Sequence, residues 1–227
     1  MMIKTIKEIL TMTNKFKKPK MHELCSRSFN SYSVRQDDQD ENNGIIEGVP
    51  IVFEQKTDIG GWFSETIARG AISDDVLRDV AFFYNHDLNT KPLARTRTKK
   101  LTLTIGDDRV DMIAQVNLKR SDANDLYLAI QDGDIDGMSF MFRVEEEEWS
   151  DLDTDYPHRR ITKIGYVQEV SAVNYPAYEG TSINARTDLS LDGDKKALDE
   201  ARAKLLDNNN KKISLELEKL KNENRMK

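Results

Sequence analysis

One cysteine, Cys25, stands in the whole chain, so no disulfide can close within it and secretion gains no support. There is no unbroken run of about 18 apolar residues, which excludes a membrane-spanning helix. The N-terminus carries lysines but no continuous apolar stretch, so no signal peptide is expected. Histidine is scarce: His22, His86 and His158 are all there are. No group of His, Cys, Asp and Glu shows metal-ligand spacing, so neither metal nor cofactor is expected. From Asp188 to Lys227 aromatic residues are missing altogether, which argues against a packed core in that tract. No internal repeat is visible.

What is present fits one domain of ordinary size with tails, in 227 residues. Hydrophobic residues make up 38% and charged residues 33%, polar enough that part of the chain is expected to lie outside any core. The net charge of -6 is unevenly spread: residues 1–35 carry +6, residues 36–187 carry -13 and residues 188–227 carry +1. A basic arm on an acidic body can bind nucleic acid or an acidic protein surface, or it can be a solvated tail.

Ile3, Ile6, Ile9 and Leu10 lie on one helical face among lysines, and that pattern fades at Lys17-Lys18-Pro19. Glu23 to Phe29 is placed as an edge strand, and Gln36 to Gly44, without an apolar residue, as a loop. The body is expected to begin near Ile45 with a strand through Phe53. Trp62 to Ile72 reads as a short helical turn ended by a glycine stop. A second helix runs from a Ser73 cap through Leu77, and a strand from Asp79 to Tyr84. Leu88 to Arg97 reads as a polar loop. Leu101–Ile105 and Val110–Leu118, joined by Gly106-Asp107-Asp108, form a hairpin. A helix capped by Ser121 spans Asp122 to Gln131, with Ala123, Leu126, Tyr127 and Ile130 on one face. Ile135 to Val144 is a strand, and Glu145 to Asp155 an exposed strand end and loop. Arg159 to Val173 is one long strand, or two joined at Gly165, and Tyr175-Pro176-Ala177-Tyr178 should leave the sheet. The tract after Thr187 reads as charged, frayed helix. The expected class is mainly β with helices (α+β). The divisions are an arm and linker over residues 1–44, a folded body over 45–186 and a tail over 187–227.

Chemistry points to Asp136-Gly137-Met138-Ser139-Phe140, where a small turn delivers a serine into an apolar, strand-like run. A serine hydroxyl needs a base within about 3 Å, and that base needs an orienting partner. His22 lies in the basic arm and His158 in the acidic loop, so His86, at the end of an apolar strand, is the candidate base. Glu169, in Gln168-Glu169-Val170-Ser171-Ala172-Val173, is a candidate carboxylate, buried only if Val170 and Ala172 face outward. Taken singly, each has a plainer reading: a structural histidine, a tight-turn serine, a surface carboxylate.

The order of the segments resembles the prohead (head maturation) proteases of tailed bacteriophages, whose fold is similar to that of the herpesvirus assemblin proteases. The resemblance runs from about Gly48 to Arg186. It rests on Gly60-Gly61-Trp62-Phe63-Ser64-Glu65 with Arg69-Gly70-Ala71, on Asn85-His86-Asp87, on Asp132-Gly133 through Gly137-Met138-Ser139-Phe140, and on Glu169-Val170-Ser171-Ala172-Val173 with Tyr175-Pro176-Ala177-Tyr178. It implies an assemblin-like β-barrel surrounded by short helices, and a serine endopeptidase. Ser139 would be the nucleophile, His86 the general base and Glu169 the third member, with Asp87 the other candidate for that place. Ser171 is a runner-up nucleophile, expected instead to pack or hydrogen-bond. Backbone N–H groups near Phe140 or Arg143 would hold the oxyanion. Phage capsid and scaffold proteins, and the chain itself, would be cut inside the assembling prohead in the host cytoplasm. The basic arm and charged helical tail would be removable segments, and a homodimer follows by analogy. The competing readings are a catalytically inactive scaffolding protein with a protease-like domain and a nucleic-acid-binding module. The acidic body and the lack of a basic-aromatic stripe disfavour the second of these.

Overall fold

The computed structural model describes residues 25–30, 32–38, 40–174 and 188–225. The N-terminal arm through Leu24, with His22, and the Tyr175–Tyr178 segment lie outside the described residues. Strands dominate: β1 (Cys25–Asn30), β2 (Tyr32–Gln36), β3 (Asn43–Val52), β4 (Thr57–Ile59), β5 (Phe63–Ile67), β6 (Ala81–Tyr84), β7 (Ala94–Arg95), β8 (Leu101–Ile105) and β9 (Arg109–Asn117) precede helix α1 (Ser121–Gln131). Two long strands follow, β10 (Gly137–Ser150) and β11 (His158–Val173), and helix α2 covers Asp188–Arg225. The class is α+β, mostly strand.

The strands form two sheets. The larger has seven strands in the order β1-β10-β11-β5-β4, with β6 also on β11 and β7 on β6. The smaller is β2-β3-β9-β8. β11 serves two partners on one edge. Its first residues run parallel to β5, and its last, Glu169 to Ala172, run parallel to β6. Its other edge is antiparallel to β10 throughout. The expected barrel does not close among the described residues. β1 and β4 end one sheet, β2 and β8 end the other, and no ladder joins those edges.

The sheets meet across an apolar core. β9 alternates, burying Val110, Met112, Ala114 and Val116, as a half-covered antiparallel strand should. Opposite lie Phe82, Phe140, Phe142, Val170 and Ala172, and α1 closes one end with Ala123, Leu126, Tyr127 and Ile130. Gly44 lets β3 approach α1. A Cβ there would stand 2.6 Å from the Tyr127 ring.

Several local expectations change. Phe63–Ile67 is a strand and not a helical turn, with all five residues buried. Ser64, Glu65 and Thr66 are polar but satisfied by β11 and its neighbours, so apolar patterning cannot show through. Ser121 opens α1 from inside its first turn, with Arg120 at the cap position. The polar stretch after Leu88 contains β7, and β10 continues through the acidic run to Ser150. β11 is continuous through Gly165, which the ladder skips between the pairs Arg143↔Tyr166 and Val144↔Ile164. β1 and β2 both lie before residue 45, and both pair into the sheets.

Beside the core sits a cluster of buried charge. The Arg27 guanidinium binds Glu65 (2.7 Å to Oε2) and Asp194 (3.1 Å to Oδ1). Arg159 reaches the same two carboxylates at 3.2 and 3.3 Å. Arg27, Glu65 and Asp194 are nearly or fully inaccessible. Burial alone would lower the Arg27 pKa, but the charges of Asp194 and Glu65 outweigh it and raise it. Asp194 is on α2, so this cluster ties that helix to β1, β5 and β11. Leu198, one turn on, adds an apolar contact with Ile59 and Phe63. Removing one member of a buried ion group leaves its partners uncompensated. Asp194→Ala should therefore cost about 3–5 kcal/mol in urea unfolding. A loss below about 1 kcal/mol would show that the cluster does not hold α2.

Candidate active site

The rungs of the larger sheet place the candidate residues. Ser139 pairs with Ser171 across β10 and β11, and Met141 pairs with Glu169. On the next strand Ala81 pairs with Glu169, and Phe83 with Ser171. Side chains two apart share a face, so Ser139, Ser171 and Glu169 all point to one side. Ser26, diagonally across on β1, points the same way. Glu169, Ser171 and Ser139 are fully buried. Glu169 is buried together with Val170 and Ala172, because both faces of this part of β11 are covered.

β6 ends at Tyr84, and the chain turns back at Asn85 and His86 with φ of 49° and 58°. The Asp87 N–H donates to the Tyr84 carbonyl at 3.1 Å, as in a tight turn with two left-handed central residues. Asn tolerates that region, whereas a histidine there costs on the order of 1 kcal/mol. Three contacts hold it. The Asn85 N–H donates to the Ala172 carbonyl at 2.8 Å, the Asn85 side chain accepts from the Asn174 N–H at 3.1 Å, and the His86 N–H donates to Ser171 Oγ at 3.2 Å.

The turn aims the imidazole at the serine face. His86 Nδ1 lies 2.7 Å from Glu169 Oε1. Ser171 Oγ donates to the other oxygen, Glu169 Oε2. On its far side, His86 Nε2 is 3.3 Å from Ser26 Oγ, which is 2.9 Å from Ser139 Oγ. Ser139 Oγ is also 2.9 Å from the Arg27 carbonyl, to which it donates. Asp87 does not fold back. Its carboxylate accepts from the Asn89 N–H at 3.0 Å. Phe140 lies mid-strand between β1 and β11, so the ladders claim its backbone.

The arrangement can move a proton from a serine hydroxyl to an imidazole held by a buried carboxylate. Sequence reasoning did not single out Ser26. Its one signal was the period-two placing of Ser26 and Ser28 between Cys25, Arg27 and Phe29. Tyr32 is another unforeseen neighbour. Its hydroxyl is buried with no hydrogen-bond partner among the described residues, and burial, then the Glu169 charge, push its pKa up. Cys25 is no rival nucleophile. Burial, then Asp194, push its thiol up to about 12, so it stays protonated.

A model of the caudovirus prohead serine proteases matches residues 30–197, from the end of β1 into α2 past Asp194. The chain belongs to the caudovirus prohead serine protease family. It is similar to the prohead protease of Enterobacteria phage HK97, with 30% identity over 155 residues, covering 68% of this chain and 64% of that protein. The chain thus matches less than two thirds of that relative's length. No solved structure matches it. The family match takes in His86, Ser139 and Glu169 but stops short of Ser26. Among the described residues no group of three or more His, Cys, Asp or Glu is placed to hold a metal ion.

A second serine–histidine pair lacks an orienting carboxylate. His158 Nδ1 is 2.9 Å from Ser64 Oγ and its Nε2 is 3.1 Å from Thr66 Oγ1, so both ring nitrogens are taken by hydroxyls of β5. Burial, then Lys56 and Arg160, lower its pKa from the ordinary 6.5. The unfolded chain therefore binds the proton more readily. The stabilisation is complete above the unfolded value and is lost as pH falls through the lowered folded value. Between about pH 7.5 and pH 5 the urea midpoint should drop, and His158→Gln should shrink that drop. An identical pH slope in wild type and variant would remove His158 as its source.

Proposed function

We propose that this family member is a serine endopeptidase of phage head maturation, with Ser139 as nucleophile, His86 as general base and Glu169 as the carboxylate that orients it. The observation that carries this reading is the 2.7 Å contact between His86 Nδ1 and a wholly buried Glu169, with Nε2 facing the serine hydroxyls. Glu169 holds the proton on Nδ1, leaves Nε2 free to accept, and stabilises the imidazolium that forms. Ser139 Oγ attacks the scissile carbonyl carbon and gives up its proton to His86, which later protonates the leaving nitrogen. Preorganised backbone N–H donors for the oxyanion are worth about 3–4 kcal/mol each.

The substrates in this reading are capsid and scaffold segments, together with this chain's own ends, cut inside the assembling head in the host cytoplasm; membership of a prohead protease family supports it. Past Leu198 the described side chains of α2 are largely exposed, with Leu206, Ile213, Leu215 and Leu217 each more than half accessible. That half of the helix suits a segment to be removed, whereas Asp194 and Leu198 stay with the body. A paired assembly follows from the assemblin analogy alone, and neither a membrane nor a nucleic acid is required.

Intact mass of the wild type and Ser139→Ala, each co-expressed with the capsid protein, tests the reading. Shortening of the wild-type chain or its capsid partner, absent in Ser139→Ala, is the expected result. Full length in both, with the capsid protein uncut, sinks it, and equal shortening in both assigns the cutting to another enzyme. Glu169→Gln keeps the shape but removes the charge. It should slow cleavage by up to about 10⁴-fold with the unfolding midpoint little changed, and unchanged cleavage would take Glu169 out of the site.

A further inference from the structure

We propose that Ser26 is a catalytic proton relay between Ser139 and His86, an inference that rests on Ser139 being the nucleophile. No hydrogen bond joins Ser139 directly to His86 among the described residues. The hydroxyl that reaches the imidazole is that of Ser26, 3.3 Å from Nε2, and the same hydroxyl is 2.9 Å from Ser139 Oγ. Ser26 is 3% exposed and Ser139 0%, so bulk solvent is not on hand to carry the proton.

Counting protons along these Arg27–Ser139–Ser26–His86 contacts distinguishes two settings. Each hydroxyl carries one proton. When Ser139 donates to the Arg27 carbonyl at 2.9 Å, only Ser26 can supply the proton between the two serines. Ser26 then has none to offer His86 and can only accept from Nε2–H. Glu169 already claims a proton on Nδ1. That setting suits an imidazolium and leaves no base for Ser139. In the other setting, Ser139 turns its proton from the Arg27 carbonyl to Ser26, and Ser26 donates to an unprotonated Nε2. The two settings differ by the proton on Nε2, which His86 must first give up, and by rotation of the two hydroxyls, with no movement of heavy atoms.

The second setting carries the reaction. As Ser139 Oγ bonds to the scissile carbonyl carbon, its O–H bond breaks and the proton passes to Ser26 Oγ. In the same step the Ser26 O–H bond breaks and that proton binds the Nε2 lone pair. The carbonyl π pair moves onto oxygen, and His86 becomes an imidazolium opposite Glu169. His86 holds the proton until the scissile C–N bond breaks and the leaving nitrogen takes it. Ser26 ends as it began. Ser26 being the nucleophile itself is the rival assignment, since it stands nearer the base. The Gly137-Met138-Ser139-Phe140 motif and the span of the family match favour Ser139, because residues 30–197 include Ser139 and leave Ser26 out.

The test uses the full chain and diisopropyl fluorophosphate, a serine-acylating probe, with the adduct mapped by tandem mass spectrometry and cleavage rates measured alongside. The adduct should form on Ser139. Ser26→Ala should lower both labelling and cleavage by about 10²-fold or more, the usual worth of assisted proton transfer. Ser26→Thr, which keeps the hydroxyl, should recover most of that loss, and a merely packing role for Ser26 predicts no such split between Ala and Thr. An adduct on Ser26 overturns the relay, as does a Ser26→Ala chain that reacts at the wild-type rate. If Ser26→Ala fails to fold, the proton inventory of wild-type labelling decides. A bowed dependence on deuterium content supports two protons in one step, and a straight line overturns it. Ser139→Ala separates the two claims. Undiminished cleavage by that variant defeats the nucleophile assignment itself, whereas an inactive Ser139→Ala beside a fully active Ser26→Ala defeats the relay alone.

Discussion

Ser139 and Glu169 belong to different strands, and the β10–β11 register alone puts both on one face of the sheet. Ser139 opposes Ser171 and Met141 opposes Glu169. A slip of one residue would send one of the two partners to the apolar face, among Phe140, Phe142 and Val170. The bulges that bend this ladder, at Met141/Phe142 and further toward Ser150, lie beyond the Ser139 rung and leave Gly137 to Met141 in regular register. β6 then enters parallel on the other edge of β11, and its terminal turn brings His86 over the same face. The site is thus assembled at the end of three neighbouring strands.

A second constraint lies on the opposite side of β1. Ser26 faces the serine row, while Arg27, next in sequence, faces Glu65 and Asp194. The backbone carbonyl of Arg27 accepts from Ser139. One short edge strand therefore carries a polar contact to the candidate nucleophile on one face and a buried ion group on the other. Because Asp194 comes from α2, the seating of that helix bears on the position of β1, and through β1 on the hydroxyl beside His86. Buried ion groups of this kind are poor sources of net stability but strict about geometry, which suits a strand that has to be held in place at a sheet edge.

Much of the fold was legible locally. The alternation of Val110 to Val116, the amphipathic face of Ser121 to Gln131 and the turn at Gly106-Asp107-Asp108 are short-range patterns, and short-range physics forms them. The strand Phe63–Ile67 was not legible. Its Ser64, Glu65 and Thr66 are buried through partners on β11 and β1, up to 94 residues away in the chain. The barrel expectation came from resemblance, and the edges of the two sheets do not meet. The burial of Glu169 beside Val170 and Ala172 also escaped alternation, because strand pattern reports only a sheet with one wet face.

By itself the sequence determined the chemical inventory. It contains a serine after a glycine turn in an apolar, strand-like run, a histidine at a strand end, a carboxylate in an apolar run, and a motif order that resembles the prohead proteases. Those are properties of residue type and spacing. Only the tertiary structure decided that Glu169 and not Asp87 meets His86, that His158 is occupied by two hydroxyls, and that Ser26 stands between Ser139 and the imidazole. Hydrogen bonds act over about 3 Å, and the residues that make these are separated by 60 to 113 positions in the chain. Which of them come within reach depends on strand register and on the direction of the Asn85-His86 turn, and neither is written in any local stretch of sequence.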